Sequence, residues 1–280
     1  MNKAGFTMDT YGLAQRAAPW LAFEGADGCG KDTVVQNISE ALDINIGDGN
    51  YTVIKYPGGT AAGQILRSVL TTGDAEQFHP DQEAVLFAMD RVNTYDNIVV
   101  PTIKANGWVL SNRWYPSAEA YQGAGRGLGA DRIRELDEQI YGDRPQPDFT
   151  FLYDVDPEIS YARVLERVKR SGGQLGRFES LGLDFQKRIV DSYREQADEH
   201  MTRFFIIDAS KPPNEVFDET MHWINWLLLE GKIPTNDALP DVSNSSHLPA
   251  RRIEDRIAIN AFPGNDHSQH LRFMRDRAVA

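Results

Sequence analysis

The segment from Phe23 to Thr33 reads FEGADGCGKDT, and it decides the fold. Gly25, Gly30 and Lys31 have the G-x-x-x-x-G-K spacing of a phosphate-binding loop. An apolar run precedes the loop, and the stretch KDTVVQNISEAL that begins at its lysine has helical character. In a strand-loop-helix arrangement, backbone N–H groups and the helix start bind phosphate oxygens, and the lysine contacts the terminal phosphates. The segment therefore predicts a nucleotide-binding loop.

The residue after Lys31 departs from this pattern. A Ser or Thr whose hydroxyl binds Mg²⁺ ordinarily stands there, whereas this chain has Asp32 followed by Thr33. A carboxylate oxygen is also a ligand that Mg²⁺ accepts, so the change does not by itself remove a metal site. The added negative charge costs roughly 3 kcal/mol at ~5 Å from a phosphate and an effective dielectric of ~20, unless a nearby group offsets it.

Five short apolar runs alternate with helical stretches along the chain. The runs are WLAFEG (20–25), YTVIKYP (51–57), WVLSNR (108–113), FTFLYDV (149–155) and FFIIDA (204–209). After the fourth run, Asp156 and Pro157 are suited to cap and begin a helix. This alternation predicts an α/β fold of three layers, in which a five-stranded parallel sheet is flanked by helices.

The composition predicts one globular domain with an extension at each end. A chain of 280 residues with 41% hydrophobic residues can bury a sizeable core. After Lys232 the sequence becomes rich in Asn, Asp, Ser and Pro. We therefore expect an N-terminal extension over 1–18, a phosphate-loop domain over 19–232 and a polar C-terminal extension over 233–280.

The charge and the apolar pattern narrow the class of protein. The net charge of −12 argues against binding to duplex nucleic acid, which depends on cationic contacts to phosphate. An anionic ligand must then be held by a few focused arginines. The single cysteine, Cys29, excludes an intrachain disulfide. No apolar run has the length of a signal peptide or membrane span, so we expect a cytoplasmic protein that does not bind membranes.

Six further clusters, taken in order and spacing, resemble the thymidylate kinase family. They are KYPGGT (55–60), LFAMDR (86–91), NRWYPSAEAYQGAGRG (112–127), PDFTFLYDVDPE (147–158), RFE (177–179) and DAS (208–210). The resemblance covers about 19–231 and implies a P-loop kinase fold with a mobile lid. It also implies a homodimeric transferase of nucleotide biosynthesis that uses ATP and Mg²⁺ to phosphorylate dTMP to dTDP.

The resemblance implies a role for each matching position. ATP would contact the phosphate loop and the start of the next helix through Gly25, Ala26, Asp27, Gly28, Cys29, Gly30, Lys31, Asp32 and Thr33. Its adenine would contact a later loop through Ala209, Ser210 and Lys211. The acceptor nucleotide would contact Asp27, Tyr56, Pro57, Arg67, Phe87, Arg91, Arg113, Ser117, Tyr121 and Gln122. Phe87 and Arg91 are four residues apart on one predicted helix, so they can close on a single base.

The stretch RSGGQLGRFES (170–180) is the candidate lid. Its adjacent glycines, with arginines on both sides, predict a mobile loop between two helices. The resemblance implies that Arg167, Arg170 and Arg177 close over the transferred phosphate. With Lys31 and Arg113, they form the expected catalytic set, because a cation delivered to a phosphoryl transition state accelerates the transfer.

Two departures from the family pattern concern the metal. In the family the third strand ends in Asp-Arg, and that aspartate helps to position Mg²⁺, whereas this chain has Asn112. We interpret Asp32 and Asn112 as an exchange of positions, in which Asp32 is the metal ligand and Asn112 acts through water. The alternatives are independent changes that weaken activity, or a nucleotide-binding regulator that does not catalyse.

The acceptor pocket also departs from the family pattern. Tyr56 stands where bacterial relatives commonly have Glu, Lys55 replaces Arg, and Ala118 lies where many relatives have Ser. These changes leave room for a modified pyrimidine, such as a 5-substituted dUMP, as the acceptor. A deoxynucleoside kinase is a further alternative, but the set of arginines directed at phosphate argues against it.

Overall fold

The computed structural model of the protein describes residues 18–45, 49–74 and 76–229. Apart from Ala18, both predicted extensions lie outside these residues, so the domain boundaries stay predictions. None of the described helices is long and apolar enough to cross a bilayer.

A parallel sheet of five strands lies at the centre of the described residues. The strands are β1 (Trp20–Glu24), β2 (Tyr51–Lys55), β3 (Trp108–Asn112), β4 (Phe149–Asp154) and β5 (Phe204–Asp208). Their order is β2-β3-β1-β4-β5, and every neighbouring pair is parallel. All residues of β1 and β3 are buried, as expected for central strands covered on both faces. The five predicted strands are confirmed.

Helices flank the sheet and connect its strands. They are α1 (Lys31–Asn45), α2 (Ala61–Leu70), α3 (Pro80–Thr94), α4 (Val100–Lys104), α5 (Tyr115–Ala118), α6 (Ala130–Ile140), α7 (Pro157–Ser171), α8 (Gly182–Glu199) and α9 (Pro213–Leu229). The Asp156 carboxylate accepts a hydrogen bond from the Glu158 N–H, and Pro157 is the first residue of α7. The predicted cap is therefore present.

Two π-helical segments were not predicted from the sequence. Tyr95–Val99 lies between α3 and α4, and Glu119–Gly125 follows α5. Such segments are rare and occur often at functional sites, because the wider turn changes where side chains point. The second segment contains Tyr121 and Gln122, which are both buried.

The alternation of side chains in β1 builds a core on each face of the sheet. Leu21 and Phe23 join the cluster that packs against α1 and α9. Trp20 and Ala22 join the opposite cluster, which includes residues of α3. The carboxyl ends of all five strands lie at one edge, where open α/β sheets bind ligands. The functional site is therefore expected at that edge.

Candidate active site

The loop between β1 and α1, residues 25–30, is shaped by glycine. Gly28 has a φ of +86°, and a Cβ there would lie 2.1 Å from the backbone oxygen of Ser160 in α7. Only glycine fits this close approach without strain. Lys31, the first residue of α1, is buried beside the loop. The predicted strand-loop-helix geometry for binding phosphate is therefore present.

Asp32, the next residue, contacts three polar groups. Its Oδ2 accepts a hydrogen bond from Nζ of Lys55 at 2.9 Å, and its Oδ1 accepts one from Nδ2 of Asn112 at 3.0 Å. Nζ of Lys31 lies 4.0 Å from Oδ1. Burial acts to raise the pKa of Asp32, but the charge of Lys31 and these hydrogen bonds hold the pKa well below its usual range. The lysines and the amide offset the added negative charge.

Arg113 follows β3 and is held by four neighbours. Its guanidinium donates to the Asp27 carboxylate at 2.8 Å and to the Tyr121 hydroxyl at 2.8 Å. It also donates to the hydroxyls of Ser117 at 3.1 Å and Tyr193 at 3.0 Å. Burial acts to raise the pKa of Asp27, but the charges of Arg113 and Lys31, together with the hydrogen bonds from Tyr121 and Arg113, lower the pKa overall. These contacts fix the cation between the phosphate loop and the second π-helical segment.

Glu24, at the end of β1, is a buried carboxylate that was not predicted from the sequence as a site residue. It accepts hydrogen bonds from the Trp114 N–H at 2.6 Å and from the hydroxyls of Ser117 at 2.7 Å and Tyr193 at 2.9 Å. Burial raises its pKa more than the charge of Arg113 and these contacts lower it. Because both hydroxyls also contact Arg113, Glu24 positions that cation. The signal in the sequence was an acid inside an apolar run.

A cavity of about 270 Å³ opens beside the phosphate loop. Many of the predicted site residues line it, namely Asp27, Lys31, Asp32, Tyr56, Pro57, Arg67, Phe87, Asn112, Arg113, Ser117, Tyr121, Gln122, Arg167 and Arg177. The lining also contains residues that were not predicted as site residues, namely Lys55, Thr71, Gly176, Phe178 and Glu179. The Tyr56–Pro57 peptide bond at its wall is cis. Residues distant in sequence therefore share one cavity.

One end of the cavity is cationic. Arg67, from α2, donates to the Pro57 carbonyl at 2.8 Å and lines the same space as Lys31 and Arg113. Burial, and then the charge of Arg113, lower the pKa of Arg67. Two guanidinium groups that line one cavity favour an anion between them, and their planar forks match phosphate. This end is suited to a phosphate group.

The other end of the cavity is aromatic. The rings of Phe87 and Phe178 lie 6.3 Å apart between centroids, and those of Tyr121 and Phe178 lie 5.6 Å apart. Gln122 lines the cavity beside them. Flat apolar faces with one amide are suited to a nucleobase, which stacks and has hydrogen-bonding edges.

Comparison with known families supports this geometry. The family model for thymidylate kinase matches residues 23–220, which is more than half of the chain. This chain belongs to the thymidylate kinase family. It is accordingly a nucleoside monophosphate kinase, a transferase. The resemblance and the P-loop kinase fold predicted from the sequence are confirmed.

Individual thymidylate kinases are similar over most of their length. The one from Nitratidesulfovibrio vulgaris is 34% identical over 211 residues, which cover 75% of this chain and 97% of that protein. The one from Desulfovibrio desulfuricans is 37% identical over 199 residues, covering 70% and 90%. The crystal structure of thymidylate kinase from Ehrlichia chaffeensis has a TM-score of 0.58 and 24% identity, covering 74% of this chain and 98% of that one. These comparisons support neither the modified-pyrimidine alternative nor the non-catalytic one.

In this thymidylate kinase family member, Arg91 lies behind the cavity. Its guanidinium is buried, donates to the Tyr56 hydroxyl at 3.1 Å and forms an ion pair with Asp137. The Tyr56 hydroxyl also donates to the Phe87 carbonyl at 2.8 Å, so the phenol stands between the arginine and the aromatic end. Phe87 lines the cavity and Arg91 does not, so the expectation that the two close on one base stays a prediction.

Arg177 also differs from the expectation for a lid that closes over phosphate. Its guanidinium donates to the carbonyls of Leu70 and Asp74, each at 2.9 Å, and to the Glu83 carboxylate at 2.5 Å. The side chain is fully buried. In this arrangement Arg177 ties the lid to α2 and α3, and its side chain is 0% exposed, whereas that of Arg113 is 14% exposed.

The other two lid arginines lie in different settings. Arg167 lines the cavity and contacts the Glu179 carboxylate. Arg170 is 74% exposed, lies outside the cavity, and is 3.8 Å from the Glu166 carboxylate. Of the three predicted lid cations, Arg167 is therefore the one whose position suits contact with a transferred phosphate.

The residues expected to meet adenine lie after β5, away from the cavity lining. Arg163 donates to the carbonyls of Ala209 at 2.8 Å and Ser210 at 3.4 Å, and Lys211 pairs with Glu219 at 3.0 Å. The phosphate-loop residues that do not line the cavity are Gly25, Ala26, Gly28, Cys29, Gly30 and Thr33. Contacts of both segments with ATP stay predictions.

Proposed function

We propose that this chain transfers the γ-phosphate of ATP to dTMP, forming dTDP and ADP. The observation that carries the proposal is that one cavity contains the phosphate-loop lysine Lys31, the guanidinium groups of Arg67 and Arg113, and an aromatic end. A donor at the loop and an acceptor nucleotide between arginines and aromatic rings can meet there. Phosphoryl transfer is catalysed mainly by positioning and charge neutralisation, which such a cavity supplies.

The reaction assigns a role to each cation. An oxygen of the acceptor phosphate forms a bond to the γ-phosphorus, while the bond from that phosphorus to the β,γ-bridging oxygen breaks and ADP leaves with the electron pair. Lys31 and the loop N–H groups neutralise the donor phosphates. Arg67 and Arg113 hold the acceptor phosphate, and Arg167 of α7, just before the lid, contacts the group in transfer.

The acceptor nucleoside occupies the remainder of the cavity. Phe87 stacks on the base, Tyr121 lies beneath the deoxyribose, and Asp27 contacts the 3′-hydroxyl. The Tyr121 hydroxyl donates to the Asp27 carboxylate at 2.9 Å, so both sugar-facing groups belong to one hydrogen-bonded unit with Arg113. A preorganised surface of this kind lowers the entropy cost of binding the acceptor.

We propose Mg²⁺ as the cofactor, with Asp32 as its carboxylate ligand and Asn112 acting through water. Asp32 fits this role because its side chain is 58% exposed in the cavity beside Lys31. Mg²⁺ commonly takes one or two carboxylates and completes its shell with phosphates and water. Within the described ranges, no group of three or more His, Cys, Asp or Glu could hold a metal. When bound, the ion neutralises charge on the β- and γ-phosphates.

The proposal is tested with the purified full chain, ATP, Mg²⁺ and one acceptor at a time. Anion-exchange chromatography should show dTDP and ADP forming in equal amounts from dTMP. The acceptor panel includes 5-hydroxymethyl-dUMP, dGMP and unphosphorylated thymidine, and Lys31→Met serves as the inactive control. Preference for dGMP or for thymidine, or ADP formed without dTDP, would contradict the proposal.

We further propose a homodimer through α2 and α3. Ile65 and Val69 on α2 and Met89 on α3 are exposed apolar side chains on two helices that contact each other. Exposed apolar patches are typical of protein interfaces. Size-exclusion chromatography with light scattering, comparing the chain with an Ile65→Asp variant, tests this. The expected cytoplasmic location and the lack of duplex nucleic acid binding stay predictions.

A further inference from the structure

The amide of Gln122 is anchored inside the protein by a carboxylate. Nε2 of Gln122 donates a hydrogen bond to Oε1 of Glu83 at 2.8 Å, and both residues are buried. The other carboxylate oxygen, Oε2, accepts a bond from Arg177 at 2.5 Å. Nε of Arg126 lies 3.6 Å from Oε2. Glu83 is therefore a buried anion held by two guanidinium groups.

This arrangement determines which end of the amide faces Glu83. An ionised carboxylate can only accept hydrogen bonds, whereas an amide can donate through nitrogen or accept through oxygen. The amide nitrogen of Gln122 must therefore point at Glu83, since the reverse orientation would put two acceptors together. No described residue donates a hydrogen bond to Oε1 of Gln122. That oxygen is left as an acceptor beside the cavity that Gln122 lines.

Glu83 and Gln122 lie close to the part of the cavity that is suited to a nucleobase. Glu83 lies four residues before Phe87, so both occupy the same face of α3. Gln122 follows Tyr121, whose ring lies 5.6 Å from that of Phe178. Gln122 lines the cavity together with Phe87 and Phe178, so the amide belongs to its aromatic end.

We propose that Glu83 is a positioning residue that selects the acceptor base. By fixing the amide, it presents Oε1 of Gln122 to the ring edge and favours bases whose N3 carries a hydrogen, such as thymine and uracil. Cytosine has an unprotonated N3, so two acceptors would face each other. This inference rests on the proposed function, because it assumes that the aromatic end holds the base.

The test replaces Glu83 by a residue of the same shape that can both donate and accept. Glu83→Gln permits the Gln122 amide to turn over, so the ratio of kcat/KM for dUMP to that for dCMP should fall about tenfold or more. This pair of substrates shares the unsubstituted C5. Arg126→Gln is the matched control, because it removes a charge near Glu83 but leaves the Gln122 contact, and it should preserve the ratio.

A second variant restores the pairing of one amide with one carboxylate that Glu83→Gln removes. Glu83→Gln combined with Gln122→Glu places one amide opposite one carboxylate again and presents an acceptor oxygen to the base. The double variant should restore the preference for dUMP over dCMP. Equal losses for both substrates in Glu83→Gln, with the ratio unchanged, would show a purely structural role and overturn the proposal.

Calorimetric binding of dTMP, dUMP and dCMP to the same variants separates this inference from the proposed function. If the wild type makes no dTDP but its binding preference for dUMP falls in Glu83→Gln, the proposed activity fails and the positioning role stands. If turnover of dTMP is normal and neither the kinetic nor the binding ratio changes, the positioning role fails alone.

Discussion

The two ends of the cavity hold their charges in different ways. At the phosphate end, Lys55 and Asp32 have side chains that are 53% and 58% exposed, and they pair at 2.9 Å. At the base end, Arg177 and Glu83 are both 0% exposed and pair at 2.5 Å. An exposed pair contributes little to stability, whereas removing one partner of a buried pair leaves an uncompensated charge.

The two sets of charges suit different roles. At the phosphate end, solvent reaches Lys55 and Asp32, so a nucleotide and a metal can replace the present partners of these two side chains. The base end has charged groups that protein alone satisfies, so they shape the pocket and orient its amide. The same cavity thus combines charged groups that can change partners when a ligand binds with charged groups whose partners stay the same.

The largest expected effect is on stability at the base end. Arg177→Met leaves Glu83 without its closest cation and should lower the free energy of unfolding by about 3–5 kcal/mol. Urea denaturation followed by circular dichroism measures this. Arg170→Met is the matched control, because Arg170 belongs to the same lid but is mostly exposed. This variant should change the free energy of unfolding by less than about 0.5 kcal/mol. Similar small changes in both variants would remove the contrast between the ends.

The next effect is on activity at the phosphate end. Lys31→Met removes the cation of the phosphate loop, so kcat/KM for dTMP should fall on the order of 10²–10³. Lys55→Met provides a matched lysine that is more exposed, and its loss should be smaller. The initial rate of dTDP formation is the measurement. A larger loss for Lys55→Met would reverse the assigned roles.

A double-mutant cycle tests the exchange of metal-associated residues. Asp32→Ser leaves no nearby acid and Asn112→Asp leaves two, so each should lower turnover by about tenfold, and the pair should recover part of the loss. The Mg²⁺ concentration for half-maximal rate and direct binding of Mn²⁺ to the protein with ATP should follow the same pattern. Simple additivity of the two losses would contradict the exchange.

The smallest effect is a pH-dependent contribution of Asp27. The folded-state pKa of Asp27 is lowered, so its ion pair stabilises the fold above the ordinary value of 3.8 and is lost as the pH falls through the folded pKa. Asp27→Asn should therefore cost about 1–2 kcal/mol at pH 7 and progressively less below that window. Unfolding measured across the acid range checks this. A cost that does not change with pH would exclude the ion pair as its source.

Much of the fold was predictable from the sequence, because it depends on local patterns. The run at 20–25, the glycine spacing after it and the Asp156–Pro157 cap each indicate their structure within a few residues. The five strands and α7 followed from such signals. The second π-helical segment did not, since a π turn differs from an α turn only slightly in local preference and is decided by packing.

The site was predicted unevenly for a related reason. Lys31, Arg113 and Tyr121 belong to motifs whose spacing implies proximity, and they line the cavity. The contacts of Arg91 and Arg177 depend on distant partners, such as Asp137 and Glu83, that no motif connects to them. The contacts of a buried arginine are therefore determined by the acidic residues that surround it in the fold, which its position in a sequence motif does not reveal.

The most direct test is a crystal structure of the full chain with dTMP, a non-hydrolysable ATP analogue and Mg²⁺. We expect Asp32 to have exchanged its contact with Lys55 for the metal, while the contacts of Glu83 with Gln122 and Arg177 remain within hydrogen-bond distance. Retention of the Asp32–Lys55 pair together with rearranged contacts at Glu83 would contradict the roles proposed for Asp32 and Glu83.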